Sequence, residues 1–183
     1  IGLQFLAWTV SGLYFSWTDI DEIHGDQFRK SSSSNNIYYN LIPLDSIPHI
    51  IQQIVLVNIE ERPYYWVNNK FLYDARSGLI KNKISKKEAL SIAKDNLIDD
   101  LEVDYVEYLT LVDPHHEFRA QSLPAYAIHY LHPDKLVAYV DARSGIFKRV
   151  RHNSWRWFDF LWMGHTMDYQ GRDNFNNLLL RIF

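Results

Sequence analysis

The chain has 183 residues, room for one substantial domain or two small ones, with a formal charge of −3 and no cysteine. The mild acidity excludes the basic footprint of a nucleic-acid-binding protein. The missing cysteine excludes disulfide frameworks and thiolate metal or redox sites.

Residues 1–17, IGLQFLAWTVSGLYFSW, carry no charge and run directly into Asp19, Asp21, Glu22 and Asp26. A spanning helix needs about 20 apolar residues. The run therefore reads as the outer end of a transmembrane helix whose upstream part precedes Ile1. The alternatives are a signal peptide, which would have a shorter core and a small-residue cleavage site, and a buried core helix. Tyr14, Phe15 and Trp17 at its end suit an interfacial belt. Five of the six tryptophans (Trp8, Trp17, Trp155, Trp157 and Trp162) lie in the two terminal stretches, with Trp66 alone between them.

Residues 31–36, SSSSNN, read as a flexible linker that separates an exit segment, 1–30, from soluble sequence. A first unit, 37–84, predicts a helix over 46–53 with Pro48 in its first turn, then strands over 54–59, 64–68 and 70–74. A second unit, 85–150, opens on a capping box, Ser85 to Glu88, followed by Ala89, Ile92, Ala93 and Leu97 at helical spacing. Strands follow over 101–111, 123–130 and 135–141. In the first of these, Glu107 breaks the apolar phase of Leu101, Val103, Tyr105, Leu109 and Leu111, as a bulge or an open edge would.

Asp-Ala-Arg-Ser-Gly occurs twice, at residues 74–78 and 141–145, each time between apolar runs. Asp accepts turn amides and Gly supplies positive φ, so Asp74, Arg76, Gly78, Asp141, Arg143 and Gly145 read as repeated structural turns, with Arg76 and Arg143 able to bridge to carboxylates. Both units thus read helix, strand, strand, strand, an α+β design with one helix packed on a small antiparallel sheet in each. Residues 151–183 depart again. An aromatic helix carrying Phe158, Leu161, Trp162 and His165 on one stripe reads as lying in the membrane interface. A polar turn around Gly171 follows, and then an apolar start, 178–183, of a second membrane helix.

Two helix-and-sheet units ending in YDARSG and YVDARSG resemble PepSY domains. The segments SGLYFSW, DEIHGD and RWFDFLWMGHTMDYQGRDNFNNLLL are similar to the PepSY-associated transmembrane family. The resemblance implies a bacterial inner-membrane protein with its PepSY region in the periplasm, and a fold related to propeptides that inhibit or chaperone thermolysin-type peptidases. A non-catalytic module binding or regulating a periplasmic partner, a peptidase among the candidates, is the leading expectation. Other membrane-anchored relatives serve ferric-siderophore reduction and carry haem between their helices. On that alternative His165 is the haem-binding residue, or faces a quinone-like ligand, although an interfacial histidine with a wet tip is the plainer reading. No cofactor is expected in the stretch itself.

Asp19, Asp21, Glu22, His24 and Asp26 have ligand chemistry but not the spacing of a calcium loop, and read as a solvated helix exit. His129 and His132, and the neighbours His115 and His116, read as surface residues. There is no phosphate loop, serine elbow or credible Ser/His/Asp arrangement, and nothing points to a catalytic carboxylate pair, which the sequence leaves open.

Overall fold

The computed structural model describes residues 2–31, 37–169 and 176. The serines and asparagines of 32–36, the polar turn around Gly171 and the apolar start over 178–183 lie outside them. In chain order the elements are Gly2–Trp17 (α1), Ile20–His24 (α2), Ile54–Ile59 (β1), Arg62–Val67 (β2), Phe71–Asp74 (β3), Ile80–Lys81 (β4), Lys86–Asn96 (α3), Val103–Leu109 (β5), Ala125–Tyr130 (β6), Val137–Asp141 (β7), Phe147–Arg151 (β8) and Asn153–Thr166 (α4). The fold is α+β. Strands β1 to β4 form one antiparallel sheet and β5 to β8 a second, each with its strands side by side in chain order. No helix among the described residues is long and apolar enough to cross a membrane.

The two sheets repeat the same bonds. Asp74 and Asp141 each accept two turn amides at their Oδ1, from Arg76 and Ser77 and from Arg143 and Ser144, at 2.8–3.0 Å. Gly78 (φ 74°) and Gly145 (φ 70°) close the turns by donating to the carbonyls of Asp74 and Asp141. One residue on, the amides of Ala75 and Ala142 donate to the carbonyls of Pro63 and Pro124, both at 3.0 Å. The Ala75 and Ala142 carbonyls accept from Ile42 and Ile84, both at 2.8 Å. The Tyr65 and Tyr126 hydroxyls donate to the carbonyls of those same isoleucines. Ile42 and Ile84 therefore hold equivalent places, each at the head of the segment that covers its sheet.

After Ile84 that segment is α3. Ser85 accepts from the Glu88 amide while Glu88 accepts from the Ser85 amide, and Ala89, Ile92 and Ala93 are buried. After Ile42 the expected helix over 46–53 does not form. A single 3-10 turn, Leu44–Ser46, is followed by irregular chain. Pro48 has no amide to donate and biases Ile47 toward extended backbone, where its φ of −83° and ψ of 125° place it. The irregular segment still covers the first sheet, burying Ile47 against Tyr65, Val67 and Tyr73.

Helix α3 lies between the sheets. Val57, Ile59, Trp66 and Leu72 of the first sheet share one core with Ile92 and Leu97 of α3 and with Ile128, Ala138 and Val140 of the second. Strand β5 differs from its expected phase. The register shifts between Val103 and Tyr105, upstream of Glu107, so Val106 rather than Tyr105 turns to the core and Tyr105 stands 52% exposed.

The exit segment is not solvated throughout. Ile23 and Phe28 are buried, and Phe28 joins the shared core. The Lys30 amide donates to the Asn96 carbonyl and the Ile98 amide to the Phe28 carbonyl, so residues 28–30 clasp the end of α3. His152 is buried, with Nε2 3.0 and 3.2 Å from the carbonyls of Glu22 and Ile23, which ties α2 to the start of α4.

Candidate functional site

Two places gather polar chemistry, and both involve α4. The first is its seam with α1. Residues Trp8, Ser11, Gly12 and Phe15 recur at helical spacing and meet Phe158, Trp162 and His165 in antiparallel fashion. The Ser11 hydroxyl lies 2.7 Å from the Ala7 carbonyl, 3.2 Å from the Trp8 carbonyl and 2.8 Å from His165 Nδ1. When its one hydrogen goes to a carbonyl, its oxygen accepts from a protonated His165 Nδ1. Trp8 Nε1 donates to the His165 carbonyl at 2.8 Å. In the neutral ring this leaves Nε2 bare, the arrangement a metal-ligating histidine adopts when a partner holds its other nitrogen. The rings around His165 are Trp8, Phe15 and Trp162. No second imidazole is among them, so of two histidine ligands only His165 could come from this seam among the described residues.

The second place lies under the other side of α4, against residues 110–124. That loop lays Phe118 on Tyr139 and closes the outer face of the second sheet. Beside Phe118, Arg119 grips Asp159 of α4 with two nitrogens, at 2.5 and 3.3 Å. Glu117 accepts from Arg156 Nε at 2.6 Å and Nη2 at 3.1 Å, and from the Tyr139 hydroxyl at 2.6 Å. Burial, reinforced by the Glu117 charge, holds the Tyr139 phenol well above its ordinary value.

Strand β8 adds two more guanidiniums. Its pairing sets Arg149 opposite Tyr139 and Arg151 opposite Val137, on the same outer face. Arg151 is buried, lies 3.9 Å over the Trp155 ring and donates to the Glu117 and Val150 carbonyls. Burial, and then Arg149, pull it down to about 9. Burial, and then Arg119, lower Arg149 as well. No hydrogen bond or ion pair engages the Arg149 side chain among the described residues. A cleft of about 280 Å³ opens here, lined by Arg119 and Arg149, by the carboxylates of Glu117 and Asp159, and by Trp155, Phe158 and Trp162.

The chain matches no family model, no curated protein and no solved structure.

The other sequence-named residues are structural. Asp74 and Asp141 spend their carboxylates on turn amides. Neither Arg76 nor Arg143 forms an ion pair among the described residues, and Arg143 Nε is buried without a partner. Asp19 caps α2 and Asp26 pairs with Arg29 at 3.8 Å. No group of three metal-ligating side chains is gathered among the described residues. His129 stacks on Tyr105 at 4.1 Å, and His132 meets the edge of Phe28 at 5.3 Å, so both are half-buried packing residues. His116 Nδ1 accepts the Phe118 amide, and the His115 amide donates to Asp113.

Sequence reasoning missed Glu117, Arg119, Arg149 and Asp159. One signal was present: Asp159 is the single acid in an aromatic helix, three residues after Arg156, and residues 117–119 offer the reciprocal acid and base.

Proposed function

We propose that this chain is a non-catalytic, PepSY-type module of a bacterial inner-membrane protein, held at the outer face of the membrane, where it binds or regulates a periplasmic partner of the peptidase kind. The observation that supports the reading is the repeated unit: two sheets with equivalent turn, proline, isoleucine and tyrosine bonds, as an internal duplication would have. The α1–α4 pair supports the membrane placement. Phe5, Leu6, Val10 and Trp17 of α1 and Trp157 and Phe160 of α4 stand 52–82% exposed, an apolar surface that a bilayer would cover. The chain in proteoliposomes, added to a purified thermolysin-type peptidase, should change its rate of substrate cleavage. An unchanged rate across several such peptidases would count against the regulatory reading.

One observation favours a second reading, a haem-containing reductase for ferric siderophores: the held Nδ1 and bare Nε2 of His165. Bound haem would supply one-electron chemistry, and the chain's own part would be His165 as an axial ligand oriented by Ser11. A reduced-minus-oxidised absorption spectrum of the membrane-extracted protein tests it. A haem signal lost in His165→Ala would bring this reading forward, and a spectrum without haem would remove it.

A further inference from the structure

Four strands form the edges of the two sheets, and three of them are guarded. Strand β4 is two residues long and ends in Lys81. Strand β5 carries Asp104 and Glu107, both exposed, and β8 carries Lys148, Arg149 and Arg151. Shortness and charge are what protect an edge from pairing with another chain. Strand β1 has neither. It runs for six residues, Ile-Val-Leu-Val-Asn-Ile, within an uncharged stretch over 50–59, and Val55 and Leu56 stand 37% and 45% exposed on its two faces. In an antiparallel strand the N–H and C=O of one residue point to the same side, and the sides alternate. The Pro63 carbonyl accepts from Ala75, away from β1, so Asn58, which faces Pro63, turns its backbone groups away from β2. Leu56 and Ile54 do the same by alternation. None of these six groups has a hydrogen-bond partner among the described residues.

We infer that β1 pairs antiparallel with β1 of a second copy of this chain, joining their four-stranded sheets into one continuous sheet. A two-fold axis perpendicular to the sheet keeps every side chain on its own face, so one residue must lie opposite itself. With Leu56 on the axis, Ile54 of each copy faces Asn58 of the other, and all the outward groups of Ile54, Leu56 and Asn58 are satisfied in both copies at once. Val55 then lies opposite Val57, and Glu60 opposite Gln52, so no acid meets an acid. An uncharged edge is self-complementary in this way and offers no charge to select a different strand. Pairing β1 with another edge of the second copy would leave further edges open and build a fibre, and the charges of β5 and β8 and the shortness of β4 oppose it. The closed pair is the outcome left.

The test uses the whole chain in mild detergent, which covers the exposed apolar faces of α1 and α4. Sedimentation equilibrium over roughly 1 μM to 1 mM should show a reversible rise from one mass of 21.7 kDa toward two. In hydrogen exchange the amides of Ile54, Leu56 and Asn58 should gain protection over the same range, while those of Val55, Val57 and Ile59, bonded to β2, are protected throughout. Leu56→Lys sets two like charges opposite each other and should raise the dissociation constant roughly tenfold or more. Ile50→Lys, at a residue 87% exposed outside β1, should not. Both side chains are exposed, so both variants should keep the wild-type melting temperature. The chain has no cysteine, so Leu56→Cys gives a direct trap: across the axis the two Cα atoms would lie about 5.5 Å apart, within disulfide range. Mild oxidation should link L56C and leave Leu79→Cys, 71% exposed elsewhere on the same sheet, unlinked. A monomer at every concentration with the three amides exchanging freely, or a dimer that L56K leaves intact, overturns the inference.

Discussion

Removing the Asp159 carboxylate should undo the docking of α4. Asp159 and Arg119 are 6% and 14% exposed and are joined by two short contacts. An exposed pair contributes under about 1 kcal/mol, whereas deleting one partner of a buried pair costs about 3–5 kcal/mol because the other charge is stranded. Here the charge that loses this carboxylate is Arg119, already beside Arg149. The lower end, about 3 kcal/mol, is appropriate because the cleft admits some water. For a chain of this size that is a fall in melting temperature of roughly 6–12 °C. Near-ultraviolet circular dichroism follows the transition, and Trp155, packed under Arg119 and Arg151, should report loosening of α4. The loss should persist in high salt, which screens exposed charges and not buried ones. The paired change Arg119→Met with Asp159→Leu should recover most of the stability, since an apolar pair of similar volume carries no desolvation cost. A D159A loss below about 1 kcal/mol, or a double variant as unstable as the summed singles, would show that the pair is solvated and that apolar contact alone holds α4.

Gly145→Ala should destabilise more than Gly78→Ala. Both accept the left-handed backbone at about 1 kcal/mol, but a Cβ at Gly145 would come within 2.8 Å of Ile59 across the sheets, against 3.2 Å to Ile42 at Gly78. Equal urea midpoints would show that Ile59 yields freely. Ser85→Ala removes the α3 cap and should cost about 1 kcal/mol, read as a lower urea midpoint with unchanged slope; no change would mean that packing alone sets the start of α3. Acid should act through Asp141. Burial works to raise that carboxyl, but hydrogen bonds from Ser122, Ser144 and Arg143 and the Lys148 charge outweigh it and hold it below its ordinary value. A depressed folded-state pKa gives stability that is full above the unfolded value, near pH 4, and is lost as pH falls through the folded value. Asp141→Asn should be less stable at neutral pH and should flatten the acid limb of a urea-midpoint series. An acid limb as steep as wild type would move the effect to other carboxylates.

What the sequence made legible was whatever depends on neighbours along the chain. The capping box at Ser85, the apolar spacing of α3, the Asp-to-Gly turns and the β1 run are set by bonds within a few residues, and each is where its pattern placed it. The first unit's helix was read from apolar spacing, and the extended backbone that Pro48 favours at Ile47 decided against it. The phase of β5 was misread because a bulge at its start shifts all later residues by one, and Tyr105 and Val106 are both acceptable on an edge strand. The arginine cluster was illegible for another reason. Its members come from a loop, a strand and a helix that meet only in three dimensions, and Glu117 and Asp159 are 42 residues apart.

The repeat also explains why the loop and α4 sit where they do. In each unit the tyrosine that donates to the leading isoleucine faces that unit's own covering segment: Tyr65 packs under the irregular chain and Tyr126 under α3. The opposite face of the first sheet, with Trp66 and Leu72, is closed by α3, the helix of the unit that follows. The opposite face of the second sheet, with Ala127, Val137 and Tyr139, has no third unit to close it among the described residues. Left bare, it would be an apolar surface. Phe118 from the lengthened loop takes the apolar part of that cover. Glu117 and Arg119 in the same loop supply the polar grip that draws α4 over it. The loop insertion and the lone acid of α4 are thus two halves of one solution, a substitute for a missing third helix. The arginines of β8 follow from it, because the strand's outer face meets a polar, helix-bearing cover in place of another core. That leaves Arg149 in the cleft beneath the aromatic helix, beside Glu117 and Asp159 but joined to neither by an ion pair.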